Sequence, residues 1–142
     1  MVVVADSTTY IEGPGIAEWL ARKGASVTLV TPHSHVSPLL TDFNQLIYVL
    51  SRLHEVGVRI INLSWIRRIE SDRVLVQRFT ESIEEEMMAD HVVLNTGRKQ
   101  NGGLKELFDP LVREVYEIGD CSIAGGTLRA AIEAGYEIGS TI

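Results

Sequence analysis

Residues 1–31, MVVVADSTTYIEGPGIAEWLARKGASVTLVT, decide the fold of this chain. Residues 2–5 (VVVA) form the short unbroken apolar run of a strand buried on both faces, as in a parallel sheet. Gly13-Pro14-Gly15 then opens an amphipathic stretch in which Ile16, Ala17, Trp19, Leu20 and Ala21 recur near helical spacing. Pro14 suits the first helical turn, where its missing N–H has no partner to lose. Gly24 reads as the C′ residue that closes the helix, and residues 26–31 alternate into a second strand. Strand, turn, helix, strand is the opening βαβ unit of a nucleotide-binding fold. Its usual spelling is absent: no G-x-G-x-x-G joins strand to helix, and DSTTYIE (residues 6–12) fills the turn instead.

The pattern continues outward from this unit. Residues 32–41 (PHSHVSPLLT) read as a loop with two prolines. Asp42 is the expected N-cap of a helix carrying Leu46, Ile47, Val49, Leu50, Leu53 and His54, which ends at Gly57. Residues 58–62 make a third strand, and β-α-β-α-β predicts a parallel, doubly wound sheet. The middle of the chain changes period. Residues 65–70, 73–79 and 82–88 alternate as three short strands, with turns near 71–72 and 80–81, and predict an antiparallel meander. Within it, Glu84-Glu85-Glu86 reads as a solvated strand face or edge guard. Residues 91–96 (HVVLNT) return as a buried strand ending at Gly97-Arg98. A polar linker with Gly102-Gly103 leads to a short helix at 104–108, then to a last strand at 115–118 that closes on Gly119-Asp120. Gly125-Gly126 and Thr127 launch a final helix, with Leu128, Ala131, Ile132, Gly135, Ile138 and Gly139 expected on its inner side. The fold class is α/β: a Rossmann-like parallel sheet flanked by helices, with an inserted three-stranded antiparallel β-meander.

Composition removes several classes of function. The chain has 142 residues, within the roughly 100–200 of one domain. Its 45% hydrophobic content is enough for a real core. The net charge of −6, with no basic run longer than Arg67-Arg68, argues against a nucleic-acid partner. A single cysteine, Cys121, allows no internal disulfide and suits a reducing cytoplasm. No apolar run approaches the ~18–20 residues of a membrane span, and no signal peptide is visible. Met1 leads straight into a core strand, an abrupt start that suggests a piece of something longer. His33-Ser34-His35 lacks a nearby Cys, Asp or Glu to complete a metal set and reads as a polar loop. His54 and His91 read as surface residues. Cys121 has no CxxC partner and reads as a small semi-buried residue, while Trp19 and Trp65 read as core or inter-domain contacts. Neither a G-x-S-x-G elbow nor a G-x-x-x-x-G-K-[ST] loop occurs, which removes the serine hydrolase and common NTPase classes.

Four phrases in order carry a family resemblance: VVVADSTTYIEGPGIAEWLARKGASVTLVTP, HEVGVRII, HVVLNTGRKQN and VYEIGDC. Together they resemble the C-terminal nucleotide-binding region of the NADH:flavin oxidoreductase family, in its trimethylamine dehydrogenase and 2,4-dienoyl-CoA reductase branch. The resemblance implies a parent enzyme in which a flavin-bearing β/α barrel with a 4Fe-4S cluster precedes two nucleotide-binding domains. It divides this chain into an NAD(P)/ADP-binding-like domain at 1–98, with the meander at about 64–89, and a second piece at 99–142. That second piece is a linker plus the returning strand and helix of the FAD-binding-like domain. FAD or FMN and 4Fe-4S are implied for the parent only. The implied partners are the barrel and the FAD-binding half, with no nucleic acid and no membrane. Alone, residues 115–142 would dock on the truncated sheet, pair with a second copy, or stay mobile.

The resemblance carries over residue by residue. Glu18 resembles the acidic residue often found in this helix; counting back from it, Gly13 falls on the middle glycine of the fingerprint and Ile11 and Ile16 on the outer two. The end of the second strand, Thr31-Pro32-His33, has neither the acid of NAD binders nor the arginine of NADP binders. By resemblance, Asp120 of Gly119-Asp120 accepts from the ribityl chain of FAD or the ribose of a bound ADP. Ser7, Thr8, Gly13, Gly15, Thr31, Gly97 and Arg98 are the expected lining of the groove at the carboxyl ends of the parallel strands. The glycines would permit backbone approach, and Arg98 would neutralise phosphate. The expectation is weak binding of ADP or NAD(P)H by a fragment with no chemistry of its own. The rival expectation is a degenerate structural or interaction domain that has lost the ligand, because Asp6 and the side chains after it replace glycine space.

Overall fold

The structure, a computed structural model, describes residues 1–79, 84–100, 102–122 and 126–142. Contacts divide it into two compact units, Met1–Thr96 and Gly97–Ile142. The first unit opens with β1 (Val2–Asp6), α1 (Glu12–Arg22) and β2 (Val27–Val30). A 3-10 turn at Pro38–Leu40 leads to α2 (Leu46–Glu55) and β3 (Arg59–Ile61). Then come β4 (Ser64–Ile69), β5 (Arg73–Arg78), β6 (Glu84–Met88) and β7 (His91–Asn95).

Four strands lie parallel in the order β3-β2-β1-β7, and three form a separate antiparallel sheet, β4-β5-β6. Strand pleating sends alternate residues to opposite faces of the parallel sheet. Val2, Val4, Val27 and Leu29 pack with Ala17 of α1, Val49 and Leu53 of α2, and Val36 and Leu40 from the connection between the helices. Val3, Val30 and Ile61 pack with Val74, Val76, Met87 and Ala89. Helices therefore cover one face and the meander covers the other. Burial on both faces explains why β1 is an apolar run rather than an alternating one, and β2, although it alternates through Thr28, is buried at all four positions as well. Each fully buried Val or Leu in these clusters contributes about 1.5–3 kcal/mol of transfer free energy.

Both helices of this unit end in the same device. Gly24, at φ +91°, donates to Ala21 O while Ala25 donates to Leu20 O; Gly57, at φ +72°, donates to His54 O while Val58 donates to Leu53 O. These are paired Schellman bonds around a left-handed C′ residue, and each turns the chain directly into the next strand. Pro14 sits third in α1, where no intrahelical N–H bond exists; the first is Gly15 N–H to Ile11 O at 2.9 Å.

Three expectations need correction. Asp42 is not an N-cap: residues 38–44 are spent in the 3-10 turn and following turns, and Asn44 at φ +53° breaks the helical path, so α2 starts after Gln45. Residues 115–118 are not a strand, since among the described residues they have no ladder partner, and pairing is what stabilises a strand. The last helix, α4 (Leu128–Thr141), does turn Ala131, Gly135 and Ile138 inward, but Leu128, Ile132 and Gly139 are exposed.

The second unit holds α3 (Leu104–Phe108), a 3-10 turn at Gly119–Cys121, and α4. None of its described residues is buried. Thr127 caps α4, its hydroxyl accepting from Ala130 N–H at 3.2 Å. Ile118 lies over Gly135, and Gly119 takes φ +70° against Ala131. The expected turn at 80–81, residues 82–83 of the third meander strand, and Gly125 at the helix start lie outside the described residues. No helix of the described residues is long and apolar enough to cross a membrane.

Candidate functional site

In an open parallel sheet, the ligand crevice lies beyond the carboxyl ends of the strands, where the strand order reverses. Here that point is the gap between β1 and β7: the chain moves outward from β1 through β2 to β3, then returns to pair with β1 on its other side. The residues at the two strand ends are Asp6 and Asn95, which face one another in register.

Asp6 is the centre of the site. It is only 1% exposed, and its Oδ1 accepts from Thr8 N–H at 3.0 Å, Thr8 Oγ1 at 2.7 Å and Asn95 Nδ2 at 2.9 Å. Asn95 Nδ2 also reaches Thr8 Oγ1 at 3.1 Å, and Ser7 N–H donates to Asn95 O at 2.9 Å. The turn is thereby tied to the end of β7 by side chains, an Asx-type closure in place of glycines. Asp6 Oδ2 is buried and has no hydrogen-bond partner. The Asp6 side chain lies flat against Gly13 in the first turn of α1, so that a Cβ at Gly13 would overlap its carboxyl carbon and Oδ2. Burial pushes the Asp6 carboxyl above its ordinary value, against the opposing pull of the Thr8 and Asn95 hydrogen bonds and of nearby His33. His33, from the loop after β2, donates through Nε2 to Ser7 O at 3.3 Å.

The remaining expected groove residues divide sharply. Ser7, Thr8 and Gly13 come together around Asp6. Gly15 is exposed one turn into α1. Thr31 is completely buried and serves the fold: its N–H donates to Ile61 O at 3.0 Å, its carbonyl accepts from Ser64 at 2.9 Å, and its hydroxyl accepts from His33 N–H at 3.3 Å. Gly97, at φ +104°, and exposed Arg98 continue the chain in the second unit, as do Gly119 and the exposed Asp120.

One feature was not singled out by the sequence. A cavity of about 360 Å³ opens on the meander side of the strand ends, between Ala5, Ser7, Pro32, Leu94 and Thr96 and the edge strand β4. Trp65, Arg67 and Arg68 of β4 stand on its wall, where the register of that strand shifts between Ile66 and Arg68. On the opposite face, Glu18 is only 8% exposed and is held by Arg22 Nε at 2.9 Å and by both Nε and Nη2 of Arg52, tying α1 to α2. The Arg52 hydrogen bonds hold its carboxyl below the usual carboxylate range. The acidic run of β6 is paired rather than free: Arg73 reaches Glu86 at 2.7 Å and Arg78 reaches Glu85 at 3.3 Å. His35 Nδ1 and Nε2 meet Ser34 Oγ at 3.0 Å and Thr41 Oγ1 at 3.1 Å, as a polar loop requires. Among the described residues, no cluster of His, Cys, Asp and Glu could hold a metal.

No family model and no curated protein matches the chain. Solved structures do. Over 97% of its length the chain matches the 6-hydroxypseudooxynicotine amine oxidase of Pseudomonas geniculata N1, at 34% identity and a TM-score of 0.87, covering 21% of that protein. Histamine dehydrogenase from Rhizobium sp. 4-9 matches over 96%, at 25% identity and a TM-score of 0.83, with 22% of that protein covered. The structural neighbours are trimethylamine/histamine dehydrogenase-like and NADH:flavin oxidoreductase-type enzymes. A 2-naphthoyl-CoA reductase shares the fold over 99% of the chain, with 24% identity, a TM-score of 0.71 and 21% of its own length covered. The chain thus spans about a fifth of the proteins it matches.

Proposed function

We propose that this chain is an accessory, nucleotide-binding-type domain of a flavin-dependent oxidoreductase of the trimethylamine dehydrogenase type, with no catalysis of its own. The observation that carries the reading is the match along nearly the whole chain to one part of an amine oxidase, joined to a parallel sheet with an open switch point between β1 and β7. In this reading an adenine nucleotide, ADP or NAD(P)H, binds weakly at the carboxyl ends of the strands. Ser7 and Thr8 meet the sugar, and the first turn of α1, with Gly13 and Gly15, faces the phosphates. By the family resemblance, Gly97 and Arg98 at the start of the second unit are also assigned to the nucleotide, Arg98 to phosphate. Thr31 supports the floor from within the fold.

FAD or FMN supplies the redox chemistry of the parent, on residues outside this chain except for one contribution. Gly119 and Asp120, with the start of α4, would meet the ribityl chain of FAD in the parent. A 4Fe-4S cluster needs a set of cysteine thiolates, and Cys121 is the single cysteine here, so the cluster belongs with the rest of the parent. The barrel and the FAD-binding half are the partners, in a reducing cytoplasm.

Calorimetric titration of the 142-residue chain with ADP, NADH and NADPH tests the ligand claim. Dissociation constants near 0.1–1 mM, or about 4–5.5 kcal/mol of binding, are expected. No heat from any of the three at millimolar concentration overturns the claim. In that event the second reading stands: a structural domain whose turn has closed on itself. The specific observation in its favour is Asp6, buried and bonded inside the turn.

A further inference from the structure

We propose that Asp6 is the residue that sets what this site accepts: its buried carboxylate stands against Gly13 at the start of α1, as an internal anion in the space a ligand diphosphate would approach. The inference rests on the reading of the strand ends as a nucleotide site, and it adds the reason that binding there is weak.

Three observations converge on Asp6. The first is position. Gly13 falls on the middle fingerprint position, where the absence of a side chain lets backbone approach a pyrophosphate. In this chain the space beside Gly13 is taken by the chain's own carboxyl group, close enough that no Cβ could be added. The second is chemistry. The N-terminal turn of a helix presents unbonded N–H groups and favours a negative charge. This 11-residue helix has no side-chain cap at Ile11 and carries one acid, Glu12, in its first turn; Asp6 brings a second carboxylate to it. The third is the orphan oxygen. Asp6 Oδ1 is saturated by Thr8 and Asn95, whereas Oδ2 is buried beside Gly13 without a partner. A lone buried carboxylate oxygen is costly, and it persists here because Thr8 and Asn95 hold the group in place.

The consequence is selective. A nucleoside carries no charge to be repelled and can use Ser7 and Thr8 as polar partners. A diphosphate would have to share the α1 terminus with a second anion in a water-poor setting, where like charges repel strongly. The carboxylate therefore acts against the phosphates of ADP and NADH and not against their sugar or base.

The test is calorimetric titration of wild type, Asp6→Gly and Asp6→Asn chains with ADP and with adenosine, after thermal melts have shown which variants fold. Asn keeps the shape and the Oδ1 bonds but removes the charge, so it carries the test if the glycine variant does not fold. A gain of tenfold or more in ADP affinity relative to adenosine affinity, in either variant, is the expected result. ADP affinities that stay within twofold of wild type, the absence of ADP binding by every chain, or an equal gain for adenosine each overturn the proposal. The two claims separate cleanly. ADP binding by a variant and not by wild type sinks only weak nucleotide binding by the natural chain. Equal ADP binding by all three chains sinks only the role of Asp6.

Discussion

At the scale of single residues, the turn between β1 and α1 is governed by two neighbours that exclude each other's enlargement. Gly13 can carry no Cβ because Asp6 lies against it, and Asp6 can lie there because Gly13 carries none. Gly13→Ala is therefore expected to destabilise the chain by about 1–3 kcal/mol through overpacking. The same change in an Asp6→Gly background should cost far less, and thermal or denaturant melts of the four chains read the coupling directly. Additive effects would show that the two residues do not share this space. Part of the turn was legible in sequence: the missing glycines and the acid at position 6 put side chains where the fingerprint has glycine space, though not the bonds they make. Asn95 was not legible as part of it, because its role depends on strand register across 89 residues of chain. Its only local trace is a polar side chain ending an apolar strand.

Two carboxylates of the first unit titrate with opposite consequences. The Glu18 carboxyl lies below its ordinary value, so its stabilising contribution is complete above the usual carboxylate range and is lost as pH falls through the lowered folded value. Asp6 lies above its ordinary value, so its proton is held more tightly in the folded chain, and the benefit of protonation is lost as pH rises through the raised value. Replacing Glu18 by Gln should lower the melting temperature most near neutral pH, and the gap from wild type should close as pH drops below the carboxylate range. A gap that widens on acidification would contradict the Arg52 and Arg22 bonds as its origin.

At the scale of elements, the two kinds of sheet share no ladder among the described residues and are joined by packed side chains and by the Ser64 N–H bond to Thr31 O. Val74 and Val76 of β5 and Met87 of β6 enter one cluster with Val3, Val30 and Ile61. Val76 is wholly buried, and Val76→Ala removes two carbons from that contact. A loss of about 2–3 kcal/mol is expected from transfer plus cavity, measured by denaturant unfolding. A loss below about 0.5 kcal/mol would mean that the meander is not integral to the unit. Periodicity showed both sheets because each follows its own rule: unbroken apolar runs for strands covered on both faces, alternation for strands covered on one. The strand expected at 115–118 failed for the complementary reason. Apolar residues such as Val115 and Ile118 state a preference for burial, but a strand also needs a partner edge, which local sequence does not show. Likewise Asp42 has the right chemistry for a cap, while the left-handed Asn44 two residues on decides where α2 begins.

At the scale of the whole molecule, the two units differ in kind. Met1–Thr96 has two buried clusters and hydrogen bonds from Thr8 and Asn95 to Asp6 at its strand ends. Gly97–Ile142 has no buried residue among those described, and its last helix leaves Leu128 at 79% and Tyr136 at 78% exposed. That contrast accords with a chain that spans about a fifth of the proteins it matches. The functional reading therefore concentrates on the first unit, at the carboxyl ends of β1 and β7. The most direct measurement is an amide nitrogen–proton correlation spectrum of the labelled chain, recorded as ADP is added to several millimolar. The reading predicts that the amides of Ser7, Thr8, Gly13 and Gly15 shift together and saturate, while those of β5 in the meander stay still. Unmoved amides in that turn, or shifts confined to the meander, would contradict it.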